Sequence, residues 1–325
     1  MNNLPILDSI DPEIAGRLMT RRQAIARGAA VSSSVAAGLA MASVPVAVAA
    51  LARDAFGQST GLPADIKAVL DFALTLEIFE AEFYMAVLGE GNSPQKDAFA
   101  PVRAQVTGAA LATIQQIRQH EVAHVAFLKA QGATSPITVN DLDFTGGRGS
   151  GNGPFKDATT NLAFLLLTAQ AAEDTGVRAY KGQAGNLLGN NDATHNTVLE
   201  AALRIHSVEA RHAARIRRIR RLAAGAPDVV RLSGTIRGGG AGAAGATGSP
   251  PQGAVDAVTK IYGGSTPESN TSHVVFNGTA AATINAATLS GLQGGTDAVT
   301  EAFDEPLTRQ EVIDIVQPFF VPTLQ

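Results

Sequence analysis

Between Pro63 and Ile216 the chain carries four helical stripes, and each has a glutamate in its middle. The first reads Leu70, Leu74, Glu77, Ala81, Tyr84, Leu88, and the second Leu111, Ile114, Arg118, Glu121, Val125, Leu128. The third is Leu162, Leu166, Ala169, Glu173, Val177, Tyr180, and the fourth Val198, Ala202, Ile205, Glu209, His212, Ile216. Spacings of three and four place each set on one face of a helix, the face that turns inward. A lone carboxylate on such a face costs on the order of several kcal/mol unless it is paired, protonated or bound to a cation. The fold must therefore bring the four carboxylates to a common partner.

The breakers set the path between the stripes. Gly89, Gly91, Asn92 and Pro94 end a helix over Pro63 to Leu88, and Gly132 ends a second over Pro101 to Gln131. The third runs from Thr159 and fades by Gly189; the fourth runs from Thr194 and stops at Gly225 and Pro227. Short links join the first helix to the second and the third to the fourth, whereas Gly132 to Ala158 is a long Gly/Pro-containing connection. Two helical hairpins joined by one crossover make an all-α, four-helix bundle over residues 62–225. A Gly/Ala/Pro-rich linker at 226–254 leads to a mixed C-terminal arm at 255–325, expected to pack on the bundle. The arm should hold a helix at Val255 to Tyr262, a strand-forming piece at His273 to Leu289 and a last helix. Thr308-x-x-Glu311 is the capping box of that helix and Pro318 its stop.

Ahead of the bundle, Arg21-Arg22 precede the uncharged stretch Gly28 to Ala52, with small residues at Ala47-Val48-Ala49. This is the layout of a signal peptide over residues 1–49, and the arginine pair gives it the form read by the twin-arginine (Tat) export machinery. The expected location is the periplasm or cell envelope. An uncleaved anchor is the alternative, although Ser32, Ser33, Ser34, Gly38 and Pro45 break the stretch. The net charge of −4 provides no footprint for nucleic acid. The absence of cysteine excludes thiolate nucleophiles, zinc ribbons, cysteine-held iron–sulfur clusters and disulfides. Any metal or redox chemistry must use carboxylate, imidazole and phenol.

Those groups recur in order. Glu121-Val122-Ala123-His124 and Glu209-Ala210-Arg211-His212 are both E-x-x-H, a spacing that lets carboxylate and imidazole reach one ion from a single helix face. Glu77 and Glu173 are each followed seven residues later by a tyrosine, Tyr84 and Tyr180, two turns along the same face. The pattern E-x6-Y then E-x-x-H thus occurs twice, and it takes two of the three tyrosines and two of the six histidines in the chain. Four glutamates, two neutral histidines and two divalent cations sum to zero charge, whereas the same carboxylates without cations repel one another. Oxygen-rich ligation with one imidazole per ion suits iron first and manganese second.

On these motifs the segment from Leu62 to Gly225 resembles the ferritin-like di-iron carboxylate superfamily. The resemblance implies a ferritin-like four-helix bundle in which Glu77, Glu121, His124, Glu173, Glu209 and His212 hold two iron ions, or manganese, with Glu121 and Glu209 as the bridging pair. The Tat-like signal, the E-A-E-F-Y run ending at Tyr84 and the segment Ala302 to Leu307 resemble, more narrowly, exported bacterial ferritin-like proteins related to plant desiccation-related proteins. The expected partners are metal ions and dioxygen or peroxide, with Fe(II) oxidation or peroxide removal as the reaction and self-association left open. The alternative is a non-catalytic stress- or desiccation-related envelope protein in which the metal pair is structural. Tyr84 and Tyr180 would act beside the ligands or as redox groups. His120 and His206 are expected at the surface or behind the ligands, and Glu80 is the extra candidate ligand. The arginines Arg211, Arg215, Arg217, Arg218, Arg220 and Arg221 are expected on a solvated face near a helix C-terminus.

Overall fold

The computed structural model describes residues 62–188, 192–223, 252–276, 281–291, 295–300 and 302–324. The expected signal segment 1–49 lies outside these residues. So does the expected linker, except that residues 252–254 belong to a helix.

Eight α-helices occur among the described residues: α1 (Ala64–Leu88), α2 (Ala100–Arg103), α3 (Gly108–Ala130), α4 (Leu162–Ala184), α5 (Ala193–Ala223), α6 (Gln252–Tyr262), α7 (Gly295–Thr300) and α8 (Arg309–Val316). Strands β1 (Ser272–Phe276) and β2 (Ala281–Asn285) form one antiparallel pair, with Ser272 opposite Asn285. Helices α1, α3, α4 and α5 form the expected four-helix bundle, α1 pairing with α3 and α4 with α5. The first stripe is buried from Leu70 to Tyr84, and so are Leu166, Ala169, Glu173 and Val177 on the third.

The second helix begins later than its periodicity suggests. Thr107 is extended and Gly108 has φ +53°, so the backbone breaks between α2 and α3, and residues 89–107 form a longer link than the short one expected. Backbone in that left-handed region excludes most residues but not glycine. α1 ends where expected, with Gly89 at φ +80° and Glu90 N–H donating to the Met85 carbonyl at 2.8 Å, a left-handed C-cap. α4 starts at Asn161, whose side chain accepts the Phe164 N–H at 3.0 Å.

The crossover between α3 and α4 is an ordered loop built on a buried carboxylate. Asp143 accepts from Thr145 N at 3.0 Å, Thr145 Oγ1 at 2.6 Å, Gly149 N at 2.8 Å and Gly151 N at 3.0 Å. The chain's end pairs with this loop: Asp143 N–H donates to Phe319 O at 2.8 Å and Val321 N–H to Asp141 O at 2.8 Å. Phe79 of α1 meets Phe144 of the crossover and Phe319 and Phe320 of the arm, with ring centroids 5.2–5.9 Å apart.

One arginine ties the rest of the arm to α4. Arg178 is 2% exposed and pairs with Glu268 at 2.9 Å. Its guanidinium also donates to the carbonyls of Glu305 (2.7 Å), Thr266 (2.7 Å), Gly263 (3.1 Å), Pro306 (3.4 Å) and Ile261. Gly182, one turn further on, lets the Leu307 backbone pass where a Cβ would stand 1.8 Å from its carbonyl oxygen. The third tyrosine, Tyr262, donates to Asp174 of α4.

The arginine run of α5 is only partly the solvated face expected. Arg211 and Arg218 are exposed, but Arg217 reaches Asp174 at 2.6 Å, and Arg220, 5% exposed, donates to Gln170. The helix turns these two residues toward α4, where buried polar partners wait. Capping of the helix end does not account for them.

Candidate metal centre

Each helix of the bundle delivers its mid-stripe glutamate to the same place. Glu77, Glu121, Glu173 and Glu209 are all 0% exposed, with His124 at 9% and His212 at 4%. Their ligand atoms gather into two groups, Glu77, Glu121, His124, Glu209 and Glu121, Glu173, Glu209, His212, with the atoms of each group within 4.8 Å of one another.

The two groups share both E-x-x-H glutamates. His124 Nδ1 lies 3.1 Å from Glu77 Oε2, 3.0 Å from Glu121 Oε2 and 3.1 Å from Glu209 Oε1. His212 Nδ1 lies 2.8 Å from Glu121 Oε1, 3.1 Å from Glu173 Oε2 and 3.8 Å from Glu209 Oε2. Glu121 and Glu209 therefore turn one oxygen to each imidazole, while Glu77 and Glu173 each serve one side. The doubled sequence pattern becomes a two-fold arrangement because the crossover runs the second hairpin antiparallel to the first.

This donor set fits cations better than protons. A ring nitrogen carries at most one N–H, aimed along one line, yet each Nδ1 faces three carboxylates. Glu121 Oε1 and both oxygens of Glu209 consequently receive no hydrogen bond, although they are buried. Burial and the charges of Glu209 and Glu121 push the Glu77 carboxyl up to about 8, against the pull of His124. Burial likewise raises Glu173 and Glu80. Burial alone would lower the His212 imidazole, but Glu173, Glu121 and Glu209 hold it up at about 12. Left to itself, the cluster gathers protons where positive charge is missing. Two divalent ions would supply that charge, and carboxylate oxygens with one imidazole each are a donor set for iron or manganese.

The tyrosines serve the glutamates that are not shared. Tyr180 OH donates to Glu77 Oε1 at 2.6 Å, and Tyr84 OH donates to Glu173 Oε1. Burial and the adjacent carboxylates raise both phenols, so they keep their protons and act as donors. Each tyrosine thus crosses to the glutamate of the other half of the repeat. Sequence spacing had placed it under its own glutamate, because spacing describes one helix and not the helix it faces.

Two-fold symmetry stops at the histidines. His212 Nε2 lies 2.8 Å from His120 Nδ1, with the rings stacked 5.1 Å apart, and His120 Nε2 lies 2.6 Å from Gln116 Nε2. Burial and the neighbouring His212 lower the His120 imidazole and keep it neutral. The position equivalent to His120 in the other half is Val208, so His124 lacks this support. His206 instead bonds the Val177 carbonyl at 3.0 Å. Glu80 is buried but belongs to neither group. It stands across Gly176 from Glu209, the two carboxylates lying 3.4 and 3.5 Å from the point a Cβ there would occupy. Gly176 carried no signal in the sequence, since a helix-interior glycine has no pattern of its own.

Comparison with known families locates the same stretch: a family model described as a ferritin-like domain matches residues 65–221. No curated protein and no solved structure matches the chain.

Proposed function

With residues 65–221 forming a ferritin-like domain, we propose that this protein holds a di-metal centre, two iron ions with manganese as the alternative, and reacts there with dioxygen or peroxide. The observation that carries the reading is the sharing of Glu121 and Glu209 between two groups that each add one histidine and one further glutamate. Glu121 and Glu209 would span both ions, Glu77 with His124 would complete one set, and Glu173 with His212 the other.

When bound, such ions supply a redox couple and Lewis acidity toward oxygen species. The chain's own residues do the positioning. Tyr180 and Tyr84 fix the orientation of Glu77 and Glu173 through phenolic O–H bonds, and His120 fixes the His212 ring through its Nε2. The closed four-helix wall excludes water from carboxylates that would otherwise be solvated.

Elemental analysis of the protein exported by its own signal under metal-replete growth tests the reading, with about two ions per chain expected. Less than half an ion of any transition metal would overturn it. Consumption of Fe(II) with oxygen, or of peroxide, then separates the reactive centre from a structural one. A metal-dependent rise in melting temperature with neither reaction would assign the metal to a stress-protective, structural role.

Export to the periplasm or envelope by the Tat route belongs to the same proposal and is supported by Arg21-Arg22 ahead of the uncharged stretch. Among the described residues no helix is long and apolar enough to cross a membrane. Replacing Arg21 and Arg22 together by Lys should leave precursor inside the cell, and undiminished export would reassign the route.

A further inference from the structure

The candidate ligands follow a two-fold pattern whose halves match except at one point. Glu121 and Glu209 belong to both groups, and each unshared glutamate accepts a phenolic O–H, Glu77 from Tyr180 and Glu173 from Tyr84. The histidines break the match. Both rings turn Nδ1 to the carboxylates, so a neutral ring that offers Nδ1 to an ion carries its one proton on Nε2. For His212 that N–H has a fixed acceptor, His120 Nδ1 at 2.8 Å, with the two rings stacked. His120 Nε2 in turn faces the Gln116 side-chain amide at 2.6 Å, and a half-turn of that amide presents its oxygen as acceptor. His124 has no such support. Among the described residues its hydrogen bonds and ion pairs all run through Nδ1, and Val208 takes the place equivalent to His120. Its side chain is also the more open, 11% exposed against 5% for His212.

We propose that the two metal positions are unequal: the one formed with Glu173 and His212 keeps a resident ion, the one formed with Glu77 and His124 exchanges its ion, and His120 is the positioning residue that sets the difference. A ring hydrogen-bonded at its second nitrogen is held in one tautomer and one orientation and is the more basic ligand. Loss of such a partner typically weakens metal binding about 10–100-fold. The carboxylates do not produce the difference, because the bridging pair serves both positions and the two tyrosine bonds are alike. Exposure works in the same direction, since the His124 side stands nearer to solvent. The inference rests on the di-metal reading and adds to it which position takes up an incoming ion.

Mn(II) titrated into the chelated full chain, with the free ion followed by its EPR signal, is the direct test. Two binding steps are expected, with dissociation constants about tenfold or more apart. His124→Ala should leave the tight step, and His212→Ala should leave only a weak one. His120→Phe, which keeps a ring in the stack and removes the acceptor, should weaken the tight step about tenfold and bring the two together. His120→Asn, which can return an acceptor oxygen close to where Nδ1 stood, should keep them apart; if His120→Phe loses its helical circular dichroism, His120→Ala takes its place. Two ions bound with one affinity, a separation unchanged in His120→Phe, or loss of the tight step in His124→Ala would each overturn the proposal and leave the di-metal reading standing. Binding of less than half an ion per chain would overturn both.

Discussion

Two buried ionic clusters lie on α4 less than two turns apart in sequence, one around Glu173 and one around Arg178, and they are finished in opposite ways. Arg178 meets one carboxylate and five backbone carbonyls, which takes up the donor capacity of its guanidinium. Around Glu173 the count runs the other way. Four carboxylates face two imidazoles, and three buried oxygens of Glu121 and Glu209 receive no hydrogen bond. A structural ion pair is closed by hydrogen bonds from its own chain, because an unsatisfied buried charge destabilises the fold. A centre that takes cations is left with converging lone pairs. The difference separates scaffold from site without reference to any relative.

The comparison breaks first at Arg178. Arg178→Met strands Glu268 and five carbonyls, and removing one partner of a buried pair typically costs about 3–5 kcal/mol. Urea denaturation should show that loss, and limited proteolysis should cut between residues 263 and 308 in the variant before it cuts the bundle. A variant within about 1 kcal/mol of wild type would mean that the arm is held by its apolar contacts alone.

At the carboxylate cluster the prediction is conditional on metal. Loaded protein should melt higher than chelated protein, by the equivalent of about 4 kcal/mol when free metal stands at a thousand times its dissociation constant. Glu121→Ala and Glu209→Ala should each lose that gain and the bound metal together, while Tyr84→Phe and Tyr180→Phe should retain metal. Although burial opposes it, in chelated protein the His124 and His212 imidazoles hold the Glu121 and Glu209 carboxyls below their ordinary range, so each alanine variant should melt below chelated wild type. A chelated alanine variant as stable as chelated wild type would show that repulsion among the carboxylates outweighs their bonds to the two imidazoles.

A smaller effect is expected where the arm crosses α4. Gly182→Ala places a methyl against the Leu307 carbonyl and should cost about 1–3 kcal/mol through a backbone shift, with metal content unchanged. Calorimetry beside metal analysis checks both halves of that statement.

The smallest effect belongs to the capping box of α8. Thr308 N–H and Ser265 N–H donate to Glu311, and although burial opposes it, these bonds bring the carboxyl down to about 2. The folded value lies below the unfolded one, so this contribution is present above about pH 4.5 and is lost as pH falls through about 2. Glu311→Gln should therefore flatten part of the loss in melting temperature between pH 5 and pH 3 that wild type shows, and parallel curves for the two proteins would refute the assignment.

The capping box was legible in advance because it is local: Thr308 accepts from Glu311 N–H and Glu311 from Thr308 N–H, three residues apart. The same holds for the face on which Glu77, Glu121, Glu173 and Glu209 stand, for the i,i+3 pairing of glutamate and histidine, and for the crossover length that closes two hairpins into one bundle. Each is set by helical periodicity and by breakers such as Gly89 and Gly132, which act within a few residues. Gly108 shows the limit of that reading, since apolar spacing continues through residues 104–107 where the backbone does not.

What only the tertiary structure decided is which distant group each buried polar atom meets. Tyr84 finds Glu173 across 89 positions, His120 finds His212 across 92, and Arg178 finds carbonyls 83 to 128 positions further along the chain. Periodicity states that a side chain faces inward but not what it faces. Arg217 and Arg220 therefore read as solvated until α4 supplied Asp174 and Gln170, and Gln131 read as an ordinary helix end until four helices closed around it. Buried polar groups are satisfied by geometry in three dimensions, and that geometry exists only once the helices have packed.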